Sequence, residues 1–187
     1  MKTLHYNHSL NKVGLFFLIT VLLFSITACW SSQNDRKKMV NPQKVEKTLE
    51  DVNRYLVQKD NDAIRAYIKR HGWNMKQTGT GLWYEIYEHG TGDSIKSGNL
   101  VTVNYKVYLM DGTLCYSSDS TGSKTFKVGH GGVESGLEQG ILLLCTHDKA
   151  RFIMQPYMAH GLLGDLKKIP PRSTIIYDIE VLQVSNK

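Results

Sequence analysis

The chain has little cysteine and little proline, with 3 and 4 residues respectively among 187. Three cysteines exclude a scaffold held by disulfides, and four prolines beside 16 glycines exclude a collagen-like or low-complexity chain. Hydrophobic residues make up 41% and charged residues 21% of the chain, which excludes a wholly disordered or polytopic membrane protein. The fold must therefore depend on a packed core, in one domain with a smaller part beside it.

Motifs of several catalytic and binding classes are also missing. There is no Gly-x-Ser-x-Gly element, and the glycine-rich segment 129–132 lacks the Lys-Ser/Thr of a phosphate-binding loop. That segment is expected to let the chain turn sharply into the next helix. His130, His147 and His160 have no metal-ligand spacing, so we expect no metal and no cofactor. The net charge is +6 and the one short basic run is at 36–38, so nucleic acid is not an expected partner.

The N-terminus has the pattern of an export signal. Lys2 and Lys12 precede an apolar run at 13–26, which is shorter than the about 20 residues of a membrane-spanning helix. The following Ile26-Thr27-Ala28-Cys29 resembles the lipobox of bacterial lipoproteins. The pattern predicts that residues 1–28 are a lipoprotein signal peptide and that Cys29 is lipidated and anchors the chain to a membrane. A generic signal peptide that ends near a cysteine is the alternative.

The residue after Cys29 is Trp30 rather than aspartate, which by resemblance to enterobacterial sorting signals favours the outer membrane, facing the periplasm. Residues 29–40 then form a polar, lipidated tether.

The segment 41–76 predicts a helical arm. Asn41 can cap a first helix that begins with Pro42, and a second short helix is expected from Asp60 or Asn61 to a stop at Gly72. Apolar residues recur along both helices, at Val45, Leu49, Val52 and Leu56, and at Ile64, Tyr67 and Ile68. The resulting helical hairpin has a narrow apolar stripe, which packs either on the following domain or on a second copy in a homodimer.

From Gly81 onward the apolar period changes from helical to two, which predicts an antiparallel sheet. The predicted strands are 82–87, 101–109, 150–154 and 173–182, with a further strand around Phe126. One helix is expected at 133–144, where Gly136 and Gly140 let it cross the sheet closely. The predicted fold class is α+β: one twisted antiparallel sheet of about five strands wrapped on one short helix, at 80–187, preceded by the helical arm.

A set of short motifs occurs in an order that resembles one family. The motifs are Val101-Thr-Val-Asn-Tyr105, Leu109-Met-Asp-Gly112, Gly136-Leu-Glu-Gln-Gly140, Ala159-His-Gly161, Ile169-Pro-Pro171 and Tyr177-Asp-Ile-Glu180. Together they resemble the FKBP-type peptidyl-prolyl cis-trans isomerases over about residues 80–185. The arm and the lipobox are most similar to FKBP lipoproteins associated with gliding motility.

The resemblance implies a shallow aromatic pocket that accepts an X-Pro bond of a polypeptide client in the cell envelope. Resonance gives the amide bond a rotation barrier of about 18–20 kcal/mol, and a dry pocket that prefers the twisted form lowers it. This chemistry requires no nucleophile, metal or cofactor.

The resemblance also assigns residues. Tyr105 and Tyr177 are expected to form the pocket wall and floor, with Leu137 where active members have tryptophan. His160 replaces a tyrosine that donates to the substrate carbonyl, and a neutral imidazole N–H can take its place. The other expected pocket residues are Cys115, Tyr116, Phe126, Val133, Glu134 and Ile169, with the backbone N–H of Glu134 donating to the peptide.

Several of these positions depart from the family pattern. Cys115 and Tyr116 stand where active members have Phe-Asp, which removes an aromatic wall and the carboxylate that faces the pocket. Together with Leu137 and His160, these departures predict weak or no activity on short peptides. The alternatives are a catalytically degenerate binding or chaperone module, a component of a motility or secretion machine, and a structural role through dimerisation of the arm.

Cys115 and Cys145 are 30 residues apart and an oxidising compartment would allow them to pair. Spacing does not decide this, and we favour free, buried thiols.

Overall fold

One long helix and one antiparallel sheet dominate the structure. The computed structural model describes residues 41–186, so the predicted signal peptide, Cys29 and the tether lie outside the described residues. In chain order the elements are α1 (Pro42–His71), β1 (Lys76–Gln77), β2 (Trp83–Glu88), β3 (Asn99–Leu109), β4 (Leu114–Ser117), α2 (Ser118–Thr121), β5 (Lys124–Lys127), α3 (Ser135–Ile141), β6 (Lys149–Met154), a 3₁₀ turn (Pro156–Met158) and β7 (Ile175–Asn186).

Helix α1 begins and ends at the predicted residues. The N–H of Gln43 donates to Asn41 Oδ1 at 3.1 Å, which is an N-cap in front of Pro42. At the other end Gly72 has φ +65°, and the N–H of Trp73 closes the helix on the carbonyl of Ile68 at 3.2 Å.

The predicted break inside the arm is wrong, because α1 is one helix of 30 residues and not a hairpin. Asp60 and Asn61 were expected to cap a second helix. Instead Asp60 accepts a 2.7 Å hydrogen bond from Arg172, and Asn61 accepts the indole N–H of Trp83 at 3.0 Å. Because these side chains have partners outside the helix, they do not compete with its backbone and the helix continues through them.

The chain divides into two compact units between Glu50 and Asp51. In the first, the described residues are the start of α1, where Val45 and Leu49 are exposed. In the second, the C-terminal half of α1 buries Ile64 and Tyr67 against the sheet. None of the helices between residues 41 and 186 is both apolar and long enough to cross a membrane.

The sheet has seven antiparallel strands rather than about five. Their order is β1-β2-β6-β7-β3-β4, and β5 also pairs with β3. The extra strands are short: β1 has two residues, and the turn of helix α2 divides one edge of the sheet into β4 and β5. The long strands β3 and β7 pair at the centre, where Val107 lies opposite Tyr177 and Tyr105 lies opposite Ile179.

The sheet has an apolar layer on each face. Alternate residues of β6 and β7 point to opposite faces, so that Phe152 and Tyr177 join the main core while Ile153 and Ile176 contact α1. This is the reason for the continuous apolar runs in the two strands.

Helix α3 crosses the main face at close range, as predicted, although it is shorter than 133–144. A Cβ on Gly136 would lie 2.7 Å from Met154 Sδ, and a Cβ on Gly140 would lie 2.8 Å from the ring of Phe152.

Candidate active site

Two tyrosines on the central strands are the basis of the candidate site. Tyr105 of β3 and Tyr177 of β7 have ring centroids 6.2 Å apart. Tyr177 is 3% exposed, whereas Tyr105 is half-buried. Helix α2 fixes Tyr105 at both ends, because its N–H donates to Ser118 Oγ at 3.1 Å and its hydroxyl lies 3.0 Å from Thr121 Oγ1. The predicted aromatic pair is therefore present, with one ring accessible to solvent.

A carboxylate joins three elements beside this pair. The hydroxyl of Tyr177 donates to Glu134 Oε1 at 3.0 Å, and His160 Nε2 lies 3.1 Å from the same oxygen. Burial, followed by the charge and hydrogen bond of Glu134, raises the pKa of Tyr177, which stays a hydroxyl donor. Glu134 Oε2 is buried and has no hydrogen-bond partner among residues 41–186. Three parts of the fold thus meet at the Glu134 carboxylate: the segment before α3, the loop after the 3₁₀ turn and β7.

The sequence analysis did not predict a second carboxylate at the site, that of Asp165. Tyr116 was expected to leave the site without the family's carboxylate, but its hydroxyl donates to Asp165, 49 residues later. Burial acts to raise the pKa of Asp165, but hydrogen bonds from Tyr116 and from the N–H groups of Ile169 and Lys167 lower it to about 2. The site therefore keeps an ionised carboxylate, which Asp165 supplies and which position 116 does not. No sequence spacing signals this contact, because it depends on the fold.

The predicted cysteine is an ordinary buried thiol. Cys115 is 2% exposed, its Sγ lies 3.6 Å from the carbonyl of Lys168, and burial raises its pKa. Cys115 and Cys145 are both free, as favoured, but Cys145 is only half-buried.

The remaining predicted residues belong to the core or its margin. Leu137 has no exposed surface, Ile169 is 3% exposed and Phe126 is 7% exposed, and all three lie in the same core cluster as Tyr177. Val133 is partly buried against that cluster. The predicted residues that keep some accessible surface are Tyr105, Tyr116, Val133, Glu134 and His160.

The glycine-rich segment before Glu134 is held by a residue that the sequence analysis did not single out. The carboxylate of Glu138 accepts the N–H groups of Gly129 and Gly131, at 2.6 and 3.0 Å. Both glycines have positive φ, of +81° and +76°. Glu138 thereby ties this loop to α3 and fixes the approach to Val133 and Glu134.

The loop between His160 and Ile169 presents three leucines to solvent, which the sequence analysis also missed. Leu162, Leu163 and Leu166 are 75%, 71% and 84% exposed. Leu166 has φ +60°, a conformation that non-glycine residues rarely adopt, and the hydrogen bonds of Asp165 to the following backbone hold it.

Comparisons of the chain with known proteins agree on one family. A sequence profile described as FKBP-type peptidyl-prolyl cis-trans isomerase matches residues 92–182. The chain is 33% identical over 160 residues to a Haemophilus influenzae protein named probable FKBP-type peptidyl-prolyl cis-trans isomerase, covering 78% of this chain and 65% of the relative. It is 38% identical over 91 residues to the Drosophila melanogaster peptidyl-prolyl cis-trans isomerase Fkbp12, covering 48% of this chain and 83% of the relative.

Solved structures show the same fold. The crystal structure of FkpA from Escherichia coli matches with a TM-score of 0.60 and 28% identity, over 79% of this chain and 75% of that chain. The crystal structure of AtFKBP13 matches with a TM-score of 0.58 and 28% identity, over 60% of this chain and 99% of that chain. In sequence, FkpA is 34% identical over 111 residues, which cover 59% of this chain. The chain spans 65% and 40% of the length of the Haemophilus and Escherichia relatives.

Proposed function

We propose that this chain, which belongs to the FKBP-type peptidyl-prolyl cis-trans isomerase family, catalyses rotation about X-Pro bonds in polypeptide clients of the cell envelope. The observation that supports the proposal is the contact set of Tyr105, Tyr177, Glu134 and His160, at the positions where the family resemblance places the pocket. Uncatalysed isomerisation takes about tens to hundreds of seconds and can limit folding, so a catalyst of this step speeds folding. Because it only accelerates an equilibrium, the catalyst needs no energy source.

The physical basis of the activity is differential binding. The planar amide has partial charges on oxygen and nitrogen, and the twisted form has less. The accessible ring of Tyr105, beside the buried ring of Tyr177, offers an apolar surface to proline, and a donor to the preceding carbonyl holds one end of the bond while the other turns. Each tenfold rate increase requires about 1.4 kcal/mol of preference for the twisted form.

The test is a protease-free assay of cis-trans exchange by NMR on proline tetrapeptides, with the chain purified in detergent. Tyr105→Ala should reduce kcat/KM by about tenfold or more, because it removes the accessible ring of the pair. Tyr55→Ala, at an exposed position of α1, is the matched control and should retain the parent rate. No catalysis by the folded parent would contradict the proposal.

A second function, a binding module for unfolded clients, is favoured by the leucine loop. Three leucines that are more than two-thirds exposed form an apolar surface of the kind that marks interaction sites. If the chain binds unfolded clients through this loop, it should slow aggregation of a denatured client that contains no proline. Replacing Leu162, Leu163 and Leu166 by serine should abolish that effect and leave the exchange rate of tetrapeptides unchanged. Retained anti-aggregation activity in the triple variant would exclude the loop as the client site.

The cellular location is part of the proposal. The lipobox-like Ile26-Thr27-Ala28-Cys29 supports cleavage before Cys29, lipidation there and anchoring at the outer membrane, facing the periplasm. Mass spectrometry of the envelope-purified chain should find a diacylated N-terminal Cys29, and Cys29→Ala should release the protein from membranes. An unmodified N-terminus would contradict lipidation. The gliding-motility resemblance is tested by whether deletion of the gene abolishes surface spreading.

Helix α1 supports a further part of the proposal, a homodimer. Val45, Leu49 and Val52 are 38%, 58% and 47% exposed along one stripe of its N-terminal half. The C-terminal half of the helix packs within its own chain, through Ile64 and Tyr67. The N-terminal half of α1 therefore suits packing on a second copy of the chain. The C-terminal half packs on the sheet of its own chain.

A further inference from the structure

A cleft of about 290 Å³ lies on the face of the sheet opposite the candidate active site. Ile176 of β7 lines it, whereas the next residue, Tyr177, points to the other face and belongs to the main core. The volume is close to the lower end of the range for ligand pockets. The side chains that line the cleft are Tyr67, Trp73, Tyr108, Arg151, Ile176 and Asp178.

Three aromatic rings surround this cleft. Tyr67 is near the end of α1, Trp73 follows the helix, and Tyr108 is on β3, directly opposite Ile176 of β7. The rings of Tyr67 and Trp73 meet edge to face, with their centroids 5.4 Å apart. Trp73 and Tyr108 are half-buried, so part of each side chain is accessible. The cleft therefore offers aromatic surface to a ligand.

The charged groups that line the cleft already have partners. The guanidinium carbon of Arg151 lies 4.8 Å from the ring centroid of Trp73 and 4.2 Å from that of Tyr87. Nε of Arg151 is 3.7 Å from Asp178 Oδ2, and the hydroxyl of Tyr87 donates to Asp178 Oδ1 at 2.6 Å. A charged ligand would find no unpaired counter-charge among the lining side chains, and its desolvation would cost free energy. The cleft is therefore suited to a neutral ligand.

The unpaired polar groups of the cleft can all donate hydrogen bonds. Within residues 41–186, the hydroxyls of Tyr67 and Tyr108 and the indole N–H of Trp73 have no hydrogen-bond partner. Tyr67 is only 8% exposed. Burial raises the pKa of Tyr67 against the charges of Arg70 and Arg151, so the hydroxyl keeps its hydrogen and lies near the guanidinium that lines the same cleft. A ligand that fits these groups has acceptors.

We propose that the cleft is a second, non-catalytic binding site, which takes a proline-rich segment of an extended polypeptide. Proline has no backbone N–H, so such a segment supplies carbonyl acceptors to the three unpaired donors and brings no backbone donors of its own. Its rings pack on aromatic surfaces, and its preformed extended backbone loses little entropy on binding. A client held there has a raised local concentration at the active site of the same chain. The binding site does not depend on the isomerase function.

The test is a titration of the ¹⁵N-labelled full chain in detergent with N-acetylated, C-amidated hexaproline, followed by ¹H–¹⁵N NMR. The indole N–H signal of Trp73, identified by its loss in Trp73→Phe, should shift as the peptide is added up to millimolar concentration. The indole N–H of Trp83 already donates to Asn61 Oδ1 at 3.0 Å, so its signal is an internal reference and should stay in place. A Trp73 signal that does not move would overturn the proposal.

Three variants locate the bound peptide. Tyr67→Phe removes one hydroxyl and keeps the ring, and should weaken binding about fivefold, the effect typical of one hydrogen bond. Tyr55→Phe, the same substitution at an exposed position of the same helix, is the matched control and should bind as the parent does. Tyr105→Ala removes the accessible ring of the active site and should leave the Trp73 shift intact. Loss of the shift in Tyr105→Ala, or parent affinity in Tyr67→Phe, would overturn the proposal.

A second peptide tests the class of ligand. A capped hexapeptide of alternating glycine and serine has backbone N–H groups that the cleft cannot pair, and should bind about tenfold more weakly than hexaproline. Equal binding of the two peptides would overturn the assignment to proline-rich segments. If the chain catalyses no exchange but the Trp73 signal responds as expected, the proposed isomerase function is wrong and the binding site stands.

Discussion

At the scale of single residues, the motifs predicted a contact between strands but not a contact made through a loop. The family resemblance of the motifs placed Tyr105 and Tyr177 in one pocket, and in the structure the two rings lie 6.2 Å apart on the paired strands β3 and β7. It did not predict the partner of Tyr116, because the contact with Asp165 joins an edge strand to a loop. Contacts made through loops have no period in the sequence.

The Tyr116–Asp165 contact should make stability depend on pH. The pKa of Asp165 is lowered, so its contribution is complete above the ordinary aspartate pKa and is lost as pH falls towards about 2. We expect Tyr116→Phe to lower the free energy of unfolding by about 1 kcal/mol at pH 6 and by much less at pH 2. Urea denaturation at the two pH values measures the difference.

Tyr84→Phe is the matched control, because the Tyr84 hydroxyl has no side-chain partner within residues 41–186. An equal loss in the Tyr116 variant at both pH values would show that the hydroxyl does not stabilise an ionised Asp165.

Gly140 is required by the close crossing of α3. A Cβ there would lie 2.8–2.9 Å from three ring atoms of the buried Phe152. Gly140→Ala should therefore cost about 1–3 kcal/mol by overpacking, despite alanine's better helix propensity. Gly79→Ala, with no atom within 4 Å of the added Cβ, should be close to neutral. Thermal unfolding of the two variants distinguishes them, and a neutral Gly140→Ala would mean that α3 moves away from the sheet at little cost.

At the scale of elements, strands were predicted more accurately than the helical arm. Alternation, together with runs of β-branched and aromatic residues, located β2, β3, β6 and β7 to within a few residues, since their apolar positions face fixed layers. The arm was divided wrongly at Asp60 and Asn61, because residues that cap helices also bind neighbouring elements, and only the fold shows which role they have.

The buried positions of α1 should contribute to stability and its exposed positions should not. Ile64 has no exposed surface, so Ile64→Ala should lower the free energy of unfolding by about 2–5 kcal/mol. Val57→Ala, at a position 42% exposed on the same helix, should change it by less than about 0.5 kcal/mol. Chemical denaturation provides both values. Similar losses in the two variants would show that α1 does not pack on the sheet through Ile64.

At the scale of the whole molecule, the proposed dimer depends on the apolar stripe of α1. Leu49→Glu with Val52→Glu places two charges on it and should convert a dimer into a monomer, as measured by light scattering after gel filtration. Gln58→Glu, also exposed on α1, is the control and should leave the mass unchanged. A monomeric parent would exclude the dimer.

The central position of β7 also affects when the protein folds. Ile175–Asn186 lies between β6 and β3 and pairs with both, so the sheet is incomplete until this strand has been synthesised. Pairing between segments so distant in sequence is slow, and partly made chains expose apolar strand faces in the meantime. The nascent chain therefore cannot complete its main core before β7 has been synthesised. It is expected to need protection from aggregation until this strand is available to pair.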